Sequence, residues 1–261
     1  MPDRTLEIAE QSIAISDPGE KNRENHLWGD RLMINVGNIV AWIFPILMVA
    51  IVTQVIIRKA GFNQAWLDDA QWWMYGLAMI VGFGYAITTD SHVRVDILHQ
   101  NYSPERKARI EVFAIGWLLL PFLVIMSDIM IHYAYASWKA GEGSDSANGL
   151  HRLYLLKMAM PVIFILSGIA AWSVMYRNMM QFMNPKMWRL FIAAAPAILF
   201  ISERLIHYGL WWIVRITQPD LNPRRISREP LLENSTWLAV GFMAFVIMIS
   251  FIMNRKNAAK V

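Results

Sequence analysis

Asp128 and His132 are the intramembrane residues best suited to chemistry. They lie four positions apart in a long apolar run, so a helix carries both on one face, with Ser127 adjacent. A carboxylate inside a membrane is by default a candidate for ion or proton handling. The competing reading is a polar contact to another helix or subunit near the outer boundary, with His132 as partner. A single carboxylate makes a poor ion path, and that favours the contact. The second concentration of reactive groups is "TTDSHVRVDILHQNYSPERKAR", residues 88–109. Here His92, Arg94 and Asp96 alternate with Val93, Val95 and Ile97, and Arg106, Lys107 and Arg109 follow. An arginine donates forked hydrogen bonds to a carboxylate, and an aspartate accepts from arginine or from backbone amides. These are groups for holding a partner. A solvated, lipid-contacting loop is the alternative.

Other chemistries find little support. The histidines are His26, His92, His99, His132, His151 and His207. A haem held in a membrane needs paired axial histidines at matched depth, and only His132 and His207 fall in apolar runs, with nothing to pair them. The chain has no cysteine, which excludes disulfides and Cys-ligated zinc or iron–sulfur sites. No HExxH, GxSxG or P-loop pattern occurs, so no catalytic, cofactor or metal residues are assigned. The stretch "GEGSDSANG", 141–149, is a tight polar loop rather than a phosphate cradle, because Glu142 and Asp145 would repel an anion.

The elements that position these groups are membrane helices. Apolar residues make up 56% of the chain and charged residues 17%. A helix needs about 20 apolar residues to cross a hydrocarbon core, and its backbone must satisfy itself there. Such runs occur at 33–57, 72–90, 110–136, 155–176, 189–214 and 236–254. None alternates as a β-barrel strand would. The class is therefore an all-α integral membrane protein. Residues 1–27 lack the apolar core of a signal peptide and read as a disordered or surface-lying tail. The net charge of +4 is not gathered on a basic helix face, so nucleic acid is not an expected partner.

Lys and Arg in the connecting loops set the orientation. Arg4, Lys21, Arg23 and Arg31 precede the first span, and Arg94, Arg106, Lys107 and Arg109 follow the second. The 137–154 loop has only Lys139 and Arg152. The N-terminus and the 91–109 loop thus face the cytoplasm, and 137–154 faces the other side. Trp66, Trp72, Trp73 and Trp138 fall where interfacial anchors belong. The last third admits two readings. With six spans, the basic loop holding Arg215, Arg224, Arg225 and Arg228 lies outside, against the positive-inside rule. With five, 189–214 lies at the interface. The strong apolarity of 189–201 and 205–214 selects six, provided that Glu203 and Arg204 face protein.

Two features concern packing. Ala78, Gly82 and Ala86 recur every fourth residue, a small-residue face that admits close helix approach. Pro45, Pro121, Pro161 and Pro196 lie inside spans and are expected to kink them.

The order of these features resembles the small membrane subunit, the Q component, of tripartite ATP-independent periplasmic (TRAP) transporters. "HVRVDIL", 92–98, is similar to that family's charged loop after span two. "WLDDAQWWMYG", 66–76, resembles its short acidic amphipathic helix. "GEGSDSANGL", 141–150, resembles its G-E-x-S loop and Asn-Gly-Leu turn, and "VTQVIIRKAGF", 52–62, fits the end of its first span. The resemblance covers about residues 28–180 and implies a four-span core, leaving 181–261 as a membrane extension of one or two further spans.

The resemblance also implies a role. In such systems a periplasmic protein captures a small solute, usually a carboxylate. A large multi-span membrane subunit moves it with a sodium gradient by an elevator-type motion. The small subunit is a non-catalytic scaffold, without cofactor, in the bacterial inner membrane. His92, Arg94 and Asp96 then become a subunit-interface loop, and Glu142, Ser144, Asn148 and Gly149 a periplasmic-side loop. A membrane anchor of a redox enzyme, binding haem or quinone, is the rival reading, and a self-sufficient transporter coupled through Asp128 is another. Orientation has a direct check, because introduced cysteines are the only ones present. Ser103→Cys is expected to be shielded from an impermeant thiol reagent in intact cells, while Ser144→Cys reacts. The reverse pattern overturns the orientation.

Overall fold

The computed structural model describes residues 23–91, 102–219, 221–226 and 229–258. Among these, every regular element is helical. The chain divides into two compact units. The first comprises residues up to Tyr102 together with Ile125–Arg177. The second comprises Ser103–Val124 and Asn178–Val261. Residues 103–124, inside the expected four-span core, thus belong with the C-terminal extension.

The first unit opens with a 3-10 turn, Arg23–Asn25, and then α1 (Trp28–Ala41), α2 (Ile43–Lys59) and α3 (Ala65–Thr89). His26, placed by sequence in a surface tail, is only 4% exposed. Its later part comes from α5 (Leu120–Ala140) and α6 (Tyr154–Met180). The second unit holds α4 (Pro104–Phe113), a π-helical segment (Ala114–Leu119) and the start of α5. It continues through α7 (Met187–Ala193), α8 (Ala195–Thr217), two single turns, α9 (Pro223–Ile226) and α10 (Pro230–Glu233), and α11 (Ser235–Ala258).

Proline sets three of the interruptions. A proline ring collides with the carbonyl four residues earlier and removes one hydrogen bond. Pro45 points this conflict at Ala41, and the helix breaks at Trp42 between α1 and α2. Pro196 points it at Ile192, and the break falls at Ala194. Before Pro121 the chain adopts a π-helical turn, which relaxes the same clash by widening the helix. Pro161 behaves differently and stays inside the uninterrupted α6.

Five helical stretches are long and apolar enough to cross a membrane: 28–59, 104–140, 154–180, 195–217 and 235–255. Six were expected. The segment that falls outside the five by apolarity is 72–90 in α3, although α3 packs along α1 and α2 and runs from the end where Asp69 meets the 141–150 loop back to the end where Thr88 meets Arg177. Although α3 has 25 residues, its opening turns carry Trp66, Asp68, Asp69 and Gln71, and four tryptophans and tyrosines with three glycines dilute the remainder.

In the first unit α1, α3 and α6 share a core of Met33, Val81, Ile163 and Ala170, flanked by Val36, Leu77 and Leu166. Two glycines permit the close approach. A Cβ on Gly29 would lie 2.9 Å from the Ile169 carbonyl oxygen, and one on Gly84 would lie 2.8 Å from Met33 Cε. Gly82 has open space around it and is exposed, Ala78 is buried and Ala86 half-buried. Inside the chain, α3 therefore packs through Ala78, Val81, Gly84 and Thr88, a stripe turned from Ala78–Gly82–Ala86. In the second unit α8 packs against the π-helical segment and against α11. There Glu203 accepts a hydrogen bond from Ser235 at 2.9 Å and pairs with Arg204 at 3.2 Å, so the charges within α8 meet protein groups.

Gly29→Val is expected to lower stability by about 1–3 kcal/mol through overpacking against backbone, whereas Gly82→Val leaves it nearly unchanged. Thermal unfolding of the detergent-solubilised variants measures both, and equal losses would contradict this packing.

Candidate functional site

Two clusters of bonded polar groups stand at the two ends of the first unit. At one end α1 begins while α3 and α6 finish. Asp30, in the first turn of α1, has no exposed surface. Its Oδ2 accepts a hydrogen bond from the Leu27 amide at 2.9 Å, which satisfies one of the amides a helix start leaves unpaired. Its Oδ1 lies 3.9 Å from Arg177 Nη2. Arg177, in the last turn of α6, also donates to the Thr88 carbonyl at 3.3 Å. A carboxylate at a helix start and a guanidinium at a helix end each match the local helix dipole.

The Thr88 carbonyl is one of the acceptors that α3 leaves open at its C-terminus. There Asp90 takes the left-handed conformation, with φ 56°. Its amide and that of Ser91 both return to the Ala86 carbonyl. Thr89 and Ser91 hydroxyls meet at 2.7 Å. His26 is buried beside this cluster. Burial first, and then the Arg177 charge, hold its imidazole below the usual histidine range.

At the other end the 141–150 loop is anchored twice. Asp69, in the first turns of α3, accepts the Leu150 amide at 3.0 Å. Glu142 accepts two hydrogen bonds from Lys157, each 2.6 Å, and one from the Ser137 hydroxyl at 2.5 Å. Lys157 Nζ also stands 4.4 Å from the centre of the Tyr133 ring. Gly149 is buried between Ser144 and Asp69, where a Cβ would lie 2.5 Å from the Asp69 carboxylate. The Ser144 and Leu150 backbones close the loop at 2.9 Å. Its root is thus fixed, and Asp145, Ser146, Ala147 and Asn148 form an exposed tip. Nearby, Arg58 and Asp68 form an exposed ion pair at 3.0 Å.

Of the residues singled out by sequence, Glu142, Ser144 and Gly149 come together here, and Asn148 stands at the tip. Asp128 and His132 share a helix face with 3.9 Å between carboxylate and imidazole. Asp128 is mostly buried and His132 mostly exposed. Ala78, Gly82 and Ala86 do not form one contact surface within the chain. His92, Arg94 and Asp96 lie outside the described residues. Sequence reading did not single out Asp30, Arg177 or Lys157. Their only signal was a charge at the margin of an apolar run, which interfacial residues share.

The loop end joins two motifs far apart in sequence, the acidic start of α3 and the GEGSDSANGL loop. A family described as "Tripartite ATP-independent periplasmic transporters, DctQ component" matches residues 47–181. The chain belongs to that family. It is a TRAP transporter small permease subunit, a multi-pass membrane protein and not an enzyme. No curated protein and no solved structure matches it. The DctQ match contains Asp69, Glu142, Lys157 and Arg177. It stops short of Asp30 and of the extension helices α7 to α11.

The Glu142 anchor yields a pH dependence. The Lys157 hydrogen bond, and then that of Ser137, hold the Glu142 carboxyl below its ordinary 4.5. A depressed carboxyl contributes stability that is complete above the unfolded value and lost as pH falls through the folded one. Wild type is therefore expected to melt above Glu142→Gln near neutrality. The gap narrows as pH drops below 4.5, and a pH-independent gap would contradict the assignment.

Proposed function

We propose that this DctQ subunit scaffolds a large multi-span membrane subunit in the bacterial inner membrane, with its N-terminus in the cytoplasm. The complex carries out sodium-driven uptake of a small, carboxylate-bearing solute delivered by a periplasmic solute-binding protein. His92, Arg94 and Asp96 contact the large subunit on the cytoplasmic side. The 141–150 loop, through Glu142, Ser144, Asn148 and Gly149, offers a docking surface on the periplasmic side. Of the small-residue face of α3, the open Gly82 flank with half-buried Ala86 is a further place for a partner helix to approach closely, while Ala78 is taken up by the chain's own packing. Asp128 with His132 serves as a polar packing contact.

The observation that carries this reading is the construction of the 141–150 loop. Its root is held by Asp69, Lys157 and Ser137 from three separate helices, while residues 145–148 stand exposed. A surface with a fixed root loses little conformational freedom when a partner lands on it. The apolar flank of α2 supports the scaffold role. Phe44, Ile46, Met48, Val49 and Val52 all face away from the chain, a surface suited to lipid or to another membrane protein.

Asp145→Arg with Asn148→Arg changes the tip and leaves its anchors intact. In proteoliposomes with an inward sodium gradient, the concentration of binding protein needed for half-maximal uptake is expected to rise about tenfold, equivalent to roughly 1.4 kcal/mol. Co-purification with the large subunit should be unchanged. Superimposable uptake curves would remove the docking role.

A further inference from the structure

We propose that Asp30 and Arg177 are a positioning pair. Arg177 acts as the C-terminal cap of α3, supplied from α6, and Asp30 on α1 holds its guanidinium in place. The pair lies where three helix termini meet, and its parts have separate tasks. The Thr88 carbonyl needs a donor, because no further helical amide follows it. Arg177 Nη2 supplies one at 3.3 Å. The same nitrogen lies 3.9 Å from Asp30 Oδ1, which accepts no hydrogen bond among the described residues and contributes charge rather than a bond of its own. Asp30 is in turn fixed by the Leu27 amide at 2.9 Å. Close packing at Gly29 against Ile169 and Ser173 on α6 sets the distance between the two helices next to the pair.

The position being held is the exit of the chain from α3. Asp90 adopts a left-handed conformation that most side chains avoid and aspartate tolerates. The turn is stitched by the Thr89–Ser91 hydroxyl contact and by two amides on Ala86. A capped Thr88 carbonyl keeps the last turn of α3 from fraying and fixes the direction in which residue 91 leaves. His92, Arg94 and Asp96 follow directly in sequence. Where the inference concerns subunit assembly it rests on the proposed function, which sets those residues against the large subunit.

A lysine or an amide at these positions separates positioning from bulk stability. Lysine carries a point charge on a different stem and lacks the planar fork. The experiment uses Ser91→Cys, spin-labelled, in a chain with no other cysteine. Ser91 is exposed and every labelled variant loses its hydroxyl contact with Thr89, so mobility is compared with that of the labelled parent, and it is expected to rise in Arg177→Lys. A second variant, Asp30→Asn with Arg177→Met, leaves no unpaired buried charge, so it is expected to fold and express. Its Ser91 label should also be more mobile, while a label at Ser144, at the opposite end of the unit, is unchanged. The charge swap Asp30→Arg with Arg177→Asp should regain thermal stability relative to either single change. It should not restore the parent's label mobility, because an arginine on α1 does not occupy the capping position. A Ser91 label no more mobile in the folded Asn–Met variant than in the labelled parent, or full recovery of the parent's mobility by the swap, overturns the inference. Co-purification with the large subunit is read in parallel. A more mobile label with undiminished co-purification upholds the positioning pair and instead removes the 92–96 contact from the proposed function.

Discussion

A carboxylate with no exposed surface at the head of an apolar helix is the constraint around which the first unit is arranged. Asp30 cannot stay charged there without compensation, since an unpaired buried ion costs several kcal/mol. Compensation comes from the Leu27 amide, the start of a helix dipole and the Arg177 guanidinium. Each of those demands something further. Arg177 must stand at the end of α6, α6 must approach α1 closely enough that residue 29 is glycine, and the end of α3 must lie within reach. The apolar core of Met33, Val81, Ile163 and Ala170 supplies the bulk of the attraction, but that attraction is non-directional. The charge cluster adds direction.

The opposite end uses the same economy with different chemistry. Asp69 and Glu142 are carboxylates that accept hydrogen bonds from a backbone amide, a lysine and a hydroxyl. Unlike Asp30, they anchor a loop rather than helix termini. The long helices between the ends cannot offer such contacts at most positions, because apolar surface discriminates weakly between neighbours in a membrane. Specificity is therefore concentrated at the ends, and the flanks remain apolar and available. That division suits a small subunit of a membrane transporter.

The fold was legible where it depends on composition over long windows. Apolar runs locate the helices to within about two turns, and the proline rule locates three interruptions. It was illegible where the outcome depends on balance. Nothing in sequence distinguishes Pro161, whose helix continues, from Pro45, whose helix breaks. Within the chain α3 packs through a different stripe from the small-residue face that the sequence marks. Ala78, Gly82 and Ala86 repeat at four, whereas the contacting stripe Ala78–Val81–Gly84–Thr88 drifts by three and four, following the 3.6-residue turn. The site was legible in its 141–150 half, where Glu142, Ser144 and Gly149 lie within one short segment. Asp30 and Arg177 are separated by most of the core, and no local pattern links them.

The extension raises the question of what a DctQ subunit does with helices beyond the matched region. The second unit takes in residues 103–124, so the extension is not an appendage strung after a finished core. The π-helical segment at 114–119 is where α8 packs. A widened turn loosens one helical rung and leaves a less regular surface. Covering that surface with α8 gives it fixed neighbours within its own chain. The charges of α8 fit the same arrangement, since Glu203 is bonded to Ser235 on α11 and paired with Arg204. A helix carrying two charges near its middle enters a membrane at lower cost when those charges already have protein partners. The extension and the first half of the third span therefore make sense as one folded piece, in which each part supplies what the other's sequence leaves incomplete.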